Sequence, residues 1–501
     1  MTMASRLRGV ALLAGLLAPL PAAAQAVAPP SAQGAQEMAE AVRAWLGRQT
    51  ANAVALSGLA LKVLAEGDTY RLELPFGGAW FDGSVILDEA ALAATVKPLE
   101  GGRWQIVNVA LPPRLRAEMK NGAAPSVMTM AFESQQTTGV YDPSLASSSI
   151  FTTTVTGYAT EVTSAAGVQT SRIGKLVGRS EWLPSGPGRV TIQGGSTLEN
   201  YTSVSPLSGG EEARVTIGRM GGATRIENFN VDGLGALLRT AFEVGTAAKA
   251  GAKTGGKTGG ETGGNAARTV PLPEEKALVT RLLGQVFAMM DALDADYSYE
   301  DVQVEAGSLF SGSLRRFALG LSTGAPDGKM EIKLRLGMEG LDTPLIPPGP
   351  WVEFVPHKVS LAPRIGGVPK DATMALLRRA IETDGTGIAE DVMALIADNP
   401  LSLAIEDLLI ELGPLRLKGE GSLEVSSPDE ATGEAVLRAT GLDALIRRAN
   451  QIPDLKMAAP VLIFLKGIGR QEGTETVWNI SYADRKIVVN DTDLSDLMPS
   501  R

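Results

Sequence analysis

Residues 413–425, GPLRLKGEGSLEV, alternate without a break. Leu415, Leu417, Gly419, Gly421, Leu423 and Val425 fall on one side, and Arg416, Lys418, Glu420, Ser422 and Glu424 on the other. A period of two belongs to a strand, because successive side chains of an extended chain point to opposite faces. A helix would scatter the same residues around its circumference. The segment is therefore a ribbon with one charged, wet face and one apolar or bare face. Its expected partner is GEAVLRATG, with Ala435, Leu437 and Ala439 in register.

The same period recurs along the chain. Tyr70, Leu72, Leu74 and Phe76 share a face opposite Arg71 and Glu73, and Gly67-Asp68 supplies a turn back to the face of Leu59, Leu61 and Val63. ATVKPLEGGRWQIVNVALP repeats the hairpin plan around Gly101-Gly102. Residues 126–206 are dense in Ser, Thr and Val, which suit a pleated surface, with a turn expected at Ala165-Ala166-Gly167. In KMEIKLRLGME, Ile332, Leu334 and Leu336 oppose Glu331, Lys333 and Arg335. PPGPWVEFVPHKVSLAP reads as a Pro-bounded strand or edge. The chain is expected to finish in a further hairpin turning near Ala483-Asp484.

Helical spacing interrupts the strands. AQEMAEAVRAWLGR places Met38, Val42, Trp45 and Leu46 on one stripe. PLPEEKALVTRLLGQVFAMMDALDADY opens on prolines and two glutamates, and its stripe runs Leu278, Leu282, Val286, Met289, Leu293. Short helices are expected in PKDATMALLRRAIET, IAEDVMALIADNP and GLDALIRRANQ. The fold class that follows is α+β, mainly antiparallel sheet with short amphipathic helices packed on it.

The boundaries are read from composition. Residues 1–24 have the grammar of a secretory signal peptide. Arg6 and Arg8 precede the apolar run Val10 to Leu20, and Ala22-Ala23-Ala24 forms a small-residue cleavage site before Gln25. That run is about half of the roughly 20 residues a spanning helix needs. Residues 25–249 form an N-terminal α+β domain. Residues 250–268, with three TGG units, are a flexible Gly/Thr/Lys linker. Residues 269–501 form a C-terminal α+β domain. GLGALLR (Gly233 to Arg239) and GLDALIR (Gly441 to Arg447) suggest two related halves, each closing on a Gly-Leu step into a short helix. Chance similarity in a Leu/Ala/Gly-rich chain is the alternative.

Composition removes much chemistry. The chain has no cysteine and one histidine, so thiol nucleophiles, Cys-based zinc sites, iron–sulfur clusters and multi-histidine metal sites have no ligands. His357, in FVPHKV, has no Gly-x-Ser-x-Gly elbow to accompany it and reads as a surface or edge-strand residue. A net charge of −10 without a basic patch argues against nucleic acid. The run from Asp291 to Asp301 lacks the glycine of a calcium loop and reads as a solvated helix end. No catalytic residue, metal or cofactor is assigned.

The LRLKGEGSLEV…GEAVLRATGLDALI block and the VLIFLKGIGR…VWNISYADRKIVVNDTDL ending resemble a family of uncharacterised, exported alphaproteobacterial proteins. They also resemble AsmA-like envelope proteins, whose C-terminal strands repeat a Leu-x-Gly-x-Gly-x-Leu pattern. The resemblance covers about Ala404 to the end. It implies a periplasmic, β-rich protein concerned with the envelope and with lipid, and it carries no catalytic residues. AsmA proteins keep an N-terminal membrane anchor, whereas here the leader is expected to be cleaved.

The expected function is thus that of a non-catalytic periplasmic envelope protein, structural or binding a lipid or other hydrophobic ligand. Leu415, Leu417, Gly419, Gly421 and Leu423 would belong to its apolar sheet face. Partners would be lipid or envelope components, with membrane association peripheral at most. The alternatives are a secreted hydrolase using carboxylate acid/base residues and an outer-membrane barrel, which would need an apolar outer band.

Overall fold

A computed structural model describes residues 29–495, except 50–60, 81–84, 120–124, 241–272, 345–348 and single positions within 143–146, 208, 232–239, 309, 384, 428–429 and 484. The expected signal peptide and linker lie outside the described residues. The chain divides into two compact units. Unit 1 falls within Met1–Arg239, with Ala288–Met290 and Val304–Leu309. Unit 2 falls within Thr240–Phe287, Asp291–Gln303 and Phe310–Arg501. Every described strand pair is antiparallel, and the helices are short, so the α+β, mainly antiparallel class holds.

In unit 1, β1 (Lys62–Glu66) and β2 (Thr69–Trp80) form the first hairpin, and β2 pairs with β3 (Val85–Pro98). One edge of β3 serves two shorter strands, β4 (Trp104–Ala110) and β5 (Arg114–Met119). These pair in turn with β7 (Ser134–Asp142) and β6 (Ser126–Ala131), which share one edge of β8 (Ser147–Ser164). The long strands β9 (Gly167–Gly186), β10 (Arg189–Pro206) and β11 (Glu212–Asn230) follow as a meander. The Ser/Thr density now has a physical role. Cross-strand hydroxyls meet at Ser134 and Thr156 (2.6 Å), Thr137 and Thr153 (2.9 Å), and Ser171 and Ser203 (3.1 Å).

Helix α1 (Ala32–Gln49) covers the first hairpin. Met38 and Ala35 pack with Tyr70, Leu92, Val96 and Ile106, and Val42 lies against them. The side chains of Trp45 and Leu46 lie outside the described residues. Ser31 caps the helix. Its Oγ accepts the Gly34 N–H at 3.0 Å, and its own N–H donates to the Tyr70 hydroxyl at 3.2 Å. Gly34 has no room to grow, since a Cβ there would fall 2.2 Å from Tyr70 Oη. Alanine normally favours a helix over glycine by up to about 1 kcal/mol. Here Tyr70 is only 5% exposed and cannot swing away. Gly34→Ala is therefore expected to destabilise unit 1 by about 1–3 kcal/mol, measured as a lowered urea midpoint.

Unit 2 is a meander of β13 (Phe310–Gly324), β14 (Lys329–Asp342), β15 (Lys358–Pro369), β16 (Leu401–Leu412), β17 (Leu415–Ser427) and β18 (Glu430–Thr440), each paired with the next. β18 pairs with β20 (Glu475–Ala483), beside which lie β19 (Arg470–Glu472) and β21 (Lys486–Val489). Helix α2 (Pro273–Met289) precedes the strands. Helices α3 (Lys370–Glu382) and α4 (Ile388–Asp398) interrupt them, and α5 (Leu442–Gln451) and α6 (Ala459–Ile468) follow β18.

Two expectations are corrected. Residues 291–301 are not a helix end. Helix α2 stops at Met289, and Ala292–Ala306 form strand β12, so Leu293 leaves the helical stripe. The run DADYSY carries a period of two, and Asp294 and Asp296 on one side both bond Arg335 of β14. Of the two readings of the segment at His357, strand or edge, the strand holds from Lys358 and the edge does not, because β15 is paired on both sides. Its Pro363, which lacks an N–H for the ladder, sits beside a register shift between Ala362 and Pro363. His357 itself is on the surface, 3.8 Å from Glu411.

The two Gly-Leu steps differ in backbone. Gly441 is left-handed (φ 78°) at the N-cap of α5. Gly233 lies in a helical stretch, and its N–H donates to Asn230 Oδ1 at 3.1 Å.

Candidate functional site

The alternation of β17 is matched strand by strand across unit 2, because register holds one face together. Leu417 lies opposite Ala439 on one side and Ile410 on the other, and Gly419 opposite Leu437 and Leu408. The apolar row continues through Leu403 opposite Ile365, Ile365 opposite Ile332, and Leu334 opposite Leu321. The reverse face is ionic. Lys333 lies 3.4 Å from Glu331 and 3.2 Å from Glu406, and Arg364 3.1 Å from Glu406. Arg335 reaches Asp294 at 2.7 Å and Asp296 at 2.9 Å, and these hydrogen bonds raise its already high pKa.

One detail keeps the faces separate. Glu406 and Asp407 are consecutive, so a regular strand would turn one of them onto the apolar side. The register of β16 shifts between Ile405 and Leu408. With this bulge both acids bond wet-face partners, Glu406 with Lys333 and Arg364, and Asp407 with the Ser360 hydroxyl at 2.7 Å.

Among the described residues, the apolar face is buried most fully at one end. There α5 and α6 seal Ala439, Leu442, Leu445 and Trp478 into a cluster that includes Leu415, Leu417 and Leu437. At β14, β15 and β16 the face is open. Ile332, Leu334, Leu336, Ile365 and Ile405 are each 37–48% exposed. Helix α3 packs against β14 and β15, and α4 against β17, yet neither helix contains a buried residue. Five large aliphatic side chains on three adjacent strands thus face solvent together, which is unusual for a sheet face.

The site residues expected from sequence divide accordingly. All five of Leu415, Leu417, Gly419, Gly421 and Leu423 lie on the apolar face, alternating with the exposed polar residues Arg416, Lys418, Glu420 and Ser422. Leu415 and Leu417 are in the covered part. Gly419 leaves no groove, since a Cβ there would meet Leu437 Cδ2 at 2.4 Å, so Leu437 already occupies that space. At Gly421 a Cβ would meet that of Ala435 at 2.6 Å, so this glycine serves close strand packing. The open part begins on the adjacent strand, where Ile405 lies opposite Gly421, and runs on to β15 and β14. The alternation of Ile332, Leu334 and Leu336 was the available signal for it, while Ile365 and Ile405 join the strip only through register.

Many of the described carboxyl groups are engaged as ion-pair or hydrogen-bond acceptors, among them Glu331, Glu406, Asp294 and Asp296. Among the described residues, the carboxyls with displaced pKa values are all held below the usual range. Asp68 is held by a hydrogen bond and the charge of Lys97, Glu472 by its hydrogen bond from Arg470, and Asp493 by its hydrogen bond from Ser495. A glycosidase-type acid needs the opposite displacement. Burial pushes the phenols of Tyr141 and Tyr158 up. No group of three or more His, Cys, Asp or Glu side chains among the described residues could hold a metal ion, and no described helix is long and apolar enough to cross a membrane.

No curated protein and no solved structure matches the chain. Residues 278–490, which hold both faces of the unit 2 sheet and helices α3 to α6, are similar to a family described as an uncharacterized protein conserved in bacteria (DUF2125).

Proposed function

We propose that this protein is a non-catalytic, periplasmic envelope factor that binds lipid or another hydrophobic ligand on the open apolar face of unit 2. The observation that carries the reading is the strip formed by Ile332, Leu334, Leu336, Ile365 and Ile405, exposed together on paired strands. An acyl chain laid across these strands removes apolar surface from water on both partners, at about 25 cal/mol per Å². The charged reverse face keeps the sheet soluble and leaves one side for the ligand. The leader sequence supports export, and the bacterial family match supports a bacterial setting.

The test is detergent-free purification followed by solvent extraction and titration with a fluorescent acyl probe. Copurifying lipid or saturable probe uptake is expected. Leu334→Gln combined with Ile365→Thr should weaken uptake about tenfold or more, because two apolar contacts worth about 1 kcal/mol each are lost. Both positions are exposed, so the circular dichroism spectrum should not change. A lipid-free protein that ignores the probe would sink this reading.

A further inference from the structure

Helix α6 is apolar nearly all round, APVLIFLKGI, yet it lies on the surface. A helix of that composition normally ends up buried. Only one side is used here. Ala459 is buried, and Leu462 and Ile468 pack into the cluster with Trp478 and Leu445. On the outside, Val461 is 58% exposed and Ile463 54%, with Phe464 and Leu465 beside them, and Met457, just before the helix, is 87% exposed. These side chains form the most exposed cluster of large apolar groups described in the chain.

The helix is held so that this side stays outward. The Trp478 indole N–H donates to the Leu465 carbonyl at 2.8 Å, and the Asn490 amide donates to the Ile468 carbonyl at 2.9 Å. The Gly469 N–H donates to the Lys466 carbonyl at 3.1 Å. Three of the carbonyls a helix C-terminus usually leaves to water are thereby paired within the protein. At the other end Pro460 brings no N–H. A helix finished in this way can enter a medium that offers no hydrogen bonds.

Charge selects the occupant. The chain as a whole carries −10, but residues 446–470 hold Arg447, Arg448, Lys456, Lys466 and Arg470 against Asp454, with Arg448 and Arg470 paired to Glu353 and Glu472. Lys456 is exposed beside Met457, and Lys466 pairs with Asp443 of α5. An apolar ridge with Lys456 before it and Lys466 at its end complements an anionic lipid surface, because a surface ion pair such as that of Lys466 is weak and its ammonium group can exchange Asp443 for a headgroup while the Lys stem lies along the acyl boundary.

We infer that α6 is an interfacial helix that docks unit 2 on an anionic lipid bilayer, with Met457, Val461, Ile463 and Phe464 entering the acyl boundary. This goes beyond the sheet-face reading and can stand without it, because acyl-probe uptake on β14–β16 can fail while α6 still binds membrane.

The absence of cysteine makes a site-specific test available. Val461→Cys is labelled with an environment-sensitive fluorophore, and Glu424→Cys, on the wet face of β17, serves as reference. Both are mixed with vesicles of phosphatidylglycerol and phosphatidylcholine, and with vesicles of phosphatidylcholine alone. The label at 461 should shift to the blue with the anionic vesicles, respond less to the neutral ones, and lose its response in high salt, while the label at 424 stays unchanged. Adding Ile463→Asp and Phe464→Asp should cut the partitioning reported at 461 about a hundredfold, with circular dichroism unchanged because both side chains are exposed. A label at 461 that stays water-like with both vesicles overturns the proposal. So does a shift without vesicles that grows with protein concentration and tracks a dimer in sedimentation, which would assign the ridge to a second copy of the chain.

Discussion

Gly441→Ala is expected to lower the stability of unit 2 by about 3–5 kcal/mol, one of the largest effects of any single methyl in this protein. Gly441 turns the chain out of β18 and into α5 with φ 78° and ψ 7°. Its carbonyl accepts the Leu445 N–H at 3.0 Å and starts the helix. The left-handed conformation costs a residue with a Cβ about 1–2 kcal/mol. The larger cost is steric, because the new Cβ would lie 1.8 Å from the Pro414 carbonyl oxygen and 2.7 Å from its carbon. Those are backbone atoms leading into β17, so no rotamer change relieves the overlap. Gly473→Ala separates the two terms. Gly473 is also left-handed, at φ 65°, but a Cβ there meets nothing within 4 Å. It should cost only about 1–2 kcal/mol. Thermal denaturation should show Gly441→Ala melting about 10 °C below the parent and Gly473→Ala much closer to it. Equal melting of the two variants would mean that Pro414 yields.

Trp478→Ala is expected to cost about 3–5 kcal/mol as well, and to release α6. Trp478 is 8% exposed, and it lies in the cluster with Ala439, Leu442, Leu445 and Val489. Truncation opens a cavity beneath α5 and α6 and removes the donor to the Leu465 carbonyl. Trp478→Phe divides these contributions. It keeps most of the ring volume and should cost about 1–2 kcal/mol, mainly from the unpaired carbonyl. Hydrogen exchange provides the local measurement. The amides of Ala459–Ile468 should exchange faster in both variants, and most in the alanine variant. Unchanged protection of that helix would show that Trp478 does not hold it.

The same residues mark the limit of reading from sequence. Strand and helix periods were legible because backbone geometry imposes them locally, in steps of two or of about 3.6 residues. That is why the hairpins at Gly67-Asp68 and Gly101-Gly102, the wet and apolar sides of β17, and the short helices α3 to α5 follow from the chain itself. Local reading failed at residues 291–301. There a helical stripe was extended by one apolar residue, Leu293, into a strand whose alternation of acids and tyrosines was hidden in a generally acidic run. Helix α6 was not anticipated, because the run VLIFL carries no periodic signal that separates a surface ridge from a core helix.

Sequence by itself determined that this is a thiol-free, largely antiparallel α+β chain with two-faced ribbons and no equipment for thiol or multi-histidine metal chemistry. Only the tertiary structure decided which apolar surface is covered. It put Leu415 and Leu417 under α5 and α6, left Ile332, Leu334 and Ile365 open, and turned the ridge of α6 outward. The reason is that alternation depends on neighbours in the chain, whereas cover depends on where elements distant in sequence dock.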